Sequence, residues 1–123
     1  MLNIKETVYG LVSACSIKVT DNPDSQSKEF PYGVLKTTNV INTHYKNYDK
    51  ANWLLRLDVF SRYKGEKEIL DYYNIEILPL VSAVQQLDGI TYVKPTLDIV
   101  DDKEQGPVTK HGIITLSIET MEV

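Results

Sequence analysis

The sequence predicts an α+β fold: a mainly antiparallel sheet of four to five strands with two helices packed on one face. Three observations lead there. Apolar residues recur at helical spacing near the N-terminus and again after Gly65. Strict period-two alternation marks long segments around Leu57 and Leu116. No strand–helix–strand repeat of the parallel type is evident, so the strands pair as neighbours in an antiparallel sheet with the helices on one side. A chain of 123 residues suits one domain spanning 1–123, and it buries enough surface to fold without a disulfide or a metal.

The elements follow in order. Ile4, Val8, Leu11, Val12 and Cys15 lie on one helical face, which predicts a helix over residues 3–15 capped by Asn3. Cys15 closes that stripe as a core residue. Residues 16–20 read as a short strand, and the polar stretch 21–29 as a loop. A β-rich segment fills 30–42, with Pro31 and Gly33 predicting an irregular or edge start. Residues 43–50 read as a polar loop tipped by Tyr45 and Tyr48. In the next strand Trp53, Leu55, Leu57 and Val59 share a core face, while Leu54, Arg56, Asp58 and Phe60 share the other. From Glu66 the period lengthens: Ile69, Tyr73, Ile77, Leu80, Val84 and Leu87 predict a helix of about twenty residues. Acidic residues occupy its first turns, where they favour the positive end of the dipole, and Gly89 ends it. Pro79 interrupts the pattern and predicts a kink, or two helices meeting near Leu78. Residues 90–100 and 113–121 form the last hairpin, with Ile114, Leu116 and Ile118 inward and a charged turn at 101–107.

The composition narrows function by exclusion. A net charge of −4 argues against specific nucleic-acid binding, which calls for a basic face. One cysteine rules out an intramolecular disulfide and fits a reducing compartment. No run approaches the ~18 apolar residues that cross a membrane, and no secretory leader is predicted. Ser61, Arg62, Tyr63, Lys64 and Glu66 look like a reactive cluster. However, one glycine does not make a phosphate loop, and a serine nucleophile needs a base beside it. The architectural reading is that Ser61 or Tyr63 ends the strand and Gly65 admits the helix. His44 and His111 lack any spaced metal-ligand pattern, and His111 reads as a turn residue. The acidic run of Asp98, Asp101, Asp102 and Glu104 lacks EF-hand spacing. No catalytic, cofactor-binding or metal-ligating residue is assigned, and the chain is not expected to be an enzyme.

Several segments, in order, resemble the tail-completion or tail-terminator proteins of long-tailed (siphovirus-type) bacteriophages. They are the amphipathic first helix, SIKVTDNPDSQSKEFPYGVL with Phe30-Pro31-Tyr32, the junction LRLDVFSRYKGEKEI, and TKHGIITLSIE at 109–119. The resemblance covers nearly the whole chain and implies an α+β fold with two helices on a mainly antiparallel sheet. It also implies a homo-hexameric ring at the head-proximal end of the tail, in the virion and, during assembly, in the host cytoplasm. The ring would stop polymerisation of the tail tube protein and meet the neck or head-completion protein, with DNA passing through it. Pro79 and the Tyr45–Tyr48 loop depart from the pattern.

Ring subunits make heterologous contacts between two unlike faces, and aromatic-tipped polar loops suit such contacts. The candidate interface residues are therefore Asp24, Lys28, Tyr45, Tyr48, Arg56, Asp58, Arg62, Asp101, Asp102 and Glu104. Competing readings are a neck or head-closure component, a small cytoplasmic binding module, and a hydrolase.

Overall fold

A computed structural model of the chain describes residues 3–21, 30–102 and 109–122. Helix α1 (Ile4–Val12) starts at the expected cap, where the Asn3 side chain accepts a hydrogen bond from the Glu6 N–H at 3.1 Å. It ends three residues short of the predicted end. There the Ala14 and Cys15 N–H groups tighten onto the carbonyls of Leu11 and Val12. Cys15 packs beyond the helix against the core, and burial, followed by the nearby Glu76 carboxylate, pushes its thiol pKa up. That favours the unreactive thiol form.

Among the described residues five strands form one sheet: β1 (Lys18–Thr20), β2 (Tyr32–His44), β3 (Asp49–Ser61), β4 (Ile90–Asp101) and β5 (Lys110–Glu122), in the order β1-β2-β3-β5-β4. The sheet is mixed, because β1 runs parallel to β2 while the other pairs are antiparallel. A strand of three residues carries too little pattern to announce its direction. The β2–β3 ladder also runs further than predicted, through Thr43↔Lys50 and His44↔Asp49, so the 43–50 loop shrinks to a turn at Tyr45–Tyr48. Those strand ends are largely exposed, so their sequence shows no apolar alternation even though their backbones pair. A bulge between Thr37 and Asn39 shifts the register, and the Thr38 hydroxyl donates to the Leu54 carbonyl at 3.0 Å.

The second helical region is the clearest departure from expectation. It comprises α2 (Lys67–Asp71), a π-helical segment (Tyr72–Ile77) and α3 (Leu78–Gln85). The Leu78 N–H bonds to the Tyr73 carbonyl five residues back, a wider turn that rotates the buried face. Tyr72 is therefore buried where Tyr73 was expected, Ile75 points out, and Leu87 is exposed. Pro79 falls in the first turn of α3, directly after the π-helical segment, and the backbone stays helical across Ile77 and Leu78, so the π-helical and α-helical segments meet near Leu78 without a break.

Both helical regions cover one face of the sheet. Ile4, Val8, Val12, Ile69, Ile77 and Val84 meet Leu35, Leu55, Leu57, Val59, Ile114, Leu116 and Ile118 in one core. The inward sets predicted for β3 and β5 are thus correct, with Trp53 partly buried. α2 sits directly on Gly112, where a Cβ would stand 2.7 Å from Ile69 Cγ2.

Candidate functional site

Antiparallel register gathers distant residues on the face that no described helix covers, at the end of the sheet where β3 finishes. Tyr32, Phe60 and His111 are successive cross-strand partners on β2, β3 and β5. Their rings stack, at 4.9 Å between Tyr32 and Phe60 and 4.4 Å between Phe60 and His111. Phe30 meets Tyr32 edge-on at 5.1 Å, and the Arg62 guanidinium lies 4.0 Å above the Phe30 ring.

Beside this ladder sits Asp58, which is 6% exposed although its face carries no helix. Its Oδ1 accepts hydrogen bonds from His111 Nε2 at 2.7 Å and Arg56 Nε at 2.8 Å, and Lys36 Nζ stands 3.9 Å from Oδ2. Burial by itself would raise the Asp58 carboxyl, but hydrogen bonds from His111 and Arg56, with their charges, hold it below its ordinary pKa. The buried carboxylate is thus met by side chains from three strands. His111 is therefore a strand residue within a charge cluster, a correction to the turn reading.

Ser61 belongs to the opposite face. It is buried, donates to Glu68 Oε1 at 2.5 Å and accepts from the Tyr63 N–H at 3.1 Å. These bonds fasten β3 to α2, while Gly65, at φ +93°, makes the intervening turn that a side chain would strain. The strand thus keeps Ser61 apart from His111 and commits its hydroxyl to the junction. Among the described residues no group of three or more His, Cys, Asp or Glu is placed to hold a metal ion.

The remaining predicted interface residues are dispersed. Tyr45 and Tyr48 stack at 4.6 Å on the far hairpin turn. His44 Nδ1 lies 2.8 Å from Asp49 Oδ1 at the base of that turn. Asp101 pairs with Lys110 across β4 and β5, and the Asp102 N–H donates to the Thr109 carbonyl. Asp24, Lys28 and Glu104 lie outside the described residues. Arg56 and Asp58 meet directly, and Arg62 joins the same end of the sheet through its place above Phe30. Sequence reasoning missed Lys36, Tyr32, Phe60 and His111 as their companions. The alternation Arg56, Asp58, Phe60 was a usable signal, but it needed the register of the neighbouring strands to complete it.

No protein-family model matches the chain, and no curated protein matches it significantly in sequence. No helix among the described residues is long and apolar enough to cross a membrane.

Proposed function

We propose that this chain is a structural subunit of a bacteriophage tail, a tail terminator that caps the head-proximal end of the tube as a ring. The observation that carries the reading is the convergence of residues from three of the segments behind the resemblance. Phe30 and Tyr32, the 59–65 junction, and His111-Gly112 are far apart in sequence yet share one end of the sheet. Each has a scaffold duty there: the aromatic and histidine rings stack, Ser61 and Gly65 turn the chain, and Gly112 seats α2. Shared motifs with scaffold duties suit a structural family better than a catalytic one. The α+β architecture, with both helical regions on one face, supports the same reading.

In this role the open sheet face and the strand ends supply unlike surfaces for heterologous contacts, which close into a ring by rotation. Electron microscopy of phage particles assembled without the protein tests it. Tails of abnormal length, or tails detached from heads, are the expected result. Normal tails joined to heads refute it.

A further inference from the structure

The chain carries a cavity away from the Asp58 cluster, on the helical side of the sheet. It is an open cleft of about 430 Å³ between Ser16, Ile17 and Pro31 on one side and α2 with the π-helical segment on the other. That volume lies within the ~300–1,000 Å³ of ordinary binding pockets. Among the described lining residues the walls are anionic: the carboxylates of Glu68, Asp71 and Glu76 face one ammonium, Lys67, which Asp71 pairs at 2.6 Å. Glu76 is held in place by the Ser16 N–H at 2.8 Å and by the Ser16 hydroxyl. Tyr72 completes the wall, 3% exposed, and its hydroxyl has no hydrogen-bond partner among the described residues. The rim is apolar, with Tyr63 50% exposed and Ile75 68% exposed. A large isoleucine turned to solvent, an unpartnered buried phenol and surplus carboxylates together describe a receptor for a cationic side chain on an apolar stem.

The same chain displays such a group. At the β2–β3 turn the stacked rings of Tyr45 and Tyr48 flank Lys46, which is exposed and makes no ion pair among the described residues. The Tyr45 N–H donates to the Tyr48 carbonyl at 2.8 Å and closes the turn. Tip and cavity stand at opposite ends of β3, separated by about 40 Å at ~3.3 Å per residue. A molecule therefore cannot seat its own tip, and the match is between copies.

We propose that the cavity receives the Tyr45–Tyr48 hairpin tip of a second copy of this chain. Lys46 enters the anionic walls, and the flanking tyrosines pack on Tyr63 and Ile75. The contact is heterologous, since tip and cavity are different surfaces, and so it propagates head to tail and closes into a ring when the rotation permits. This deepens the ring reading above by naming the two surfaces that meet.

Disulfide trapping of the full chain tests it, because oxidation captures even weak contacts. In a Cys15→Ser background, one preparation carries Asn47→Cys at the tip and another Asn74→Cys beside the rim, both exposed positions. On mixing and oxidation, the tip-to-rim adduct should exceed both like-with-like adducts. Adding Lys46→Glu to the tip protein should cut its yield on the order of tenfold, and Asp71→Lys in the rim protein should restore it. Adducts in random proportion, or yields indifferent to the charge changes, overturn the proposal. Failure here leaves the microscopy of protein-deficient particles to judge the terminator role. Conversely, trapped adducts alongside normal tails would retain the contact and discard the terminator role.

Discussion

Replacing Asp58 with Asn tests whether the charge cluster holds the outer sheet together. The substitution keeps the shape and removes the negative charge on which His111, Arg56 and Lys36 converge. A hydrogen bond to a charged group contributes roughly 1.5–3 kcal/mol. The Arg56 side chain is 35% exposed and counts at the lower end, while His111, at 16%, counts in full. Asn can still accept one of these bonds, so the expected loss at neutral pH is about 2–3 kcal/mol, read from urea unfolding. The pH dependence gives a second check. The folded carboxyl titrates below its unfolded value of about 3.9. Its contribution is therefore present above that pH and is lost as pH falls through the folded pKa. The gap between wild type and Asp58→Asn should hold near neutrality and close on acidification below about pH 4. A variant within about 0.5 kcal/mol of wild type at neutral pH, or a gap that does not narrow in acid, would refute the assignment.

Leu57→Ala truncates a side chain only 1% exposed at the centre of the core and should cost about 2–5 kcal/mol in the same urea assay. A harmless substitution would mean the faces of β3 are reversed. Gly112→Ala drives a methyl group into Ile69 and should cost about 1–3 kcal/mol by thermal or urea unfolding, with part of the loss recovered by Ile69→Val. Absence of that recovery would place the strain elsewhere.

Much of the fold was legible because local pattern and tertiary environment agree. Trp53 to Val59 alternate for a sheet whose one face is buried, and Gly65 and Gly89 stand where the backbone needs positive φ. Pro79 announced the start of α3. What was not legible depends on partners distant in sequence. Packing decides that the wide π turn brings in Tyr72 in place of Tyr73, and no periodicity records it. The β1 strand borrows its direction from β2. Asp58 looked like an exposed charge because alternation assigns it to the helix-free face. It is buried, and its partners Lys36 and His111 reach it only through the register of three strands. The tip and cavity were only half visible: the tyrosines were evident in the turn, whereas the receiving walls require the junction to fold.

Beyond Leu35 no residue of β2 is buried, and β1 flanks only the strand's first three residues. The outer margin of the sheet is therefore a flange, tied to β3 by ladder hydrogen bonds and clamped by no core. Such a margin is mechanically compliant. It can bend or twist without opening a cavity, while the region under the helices resists deformation as close-packed interiors do. A turn at the end of such a margin tolerates small errors in the position of whatever it touches, at the expense of the freedom it surrenders on contact. In the ring proposed above, stiffness at the base and give at the tip would let identical subunits settle together without straining any one of them.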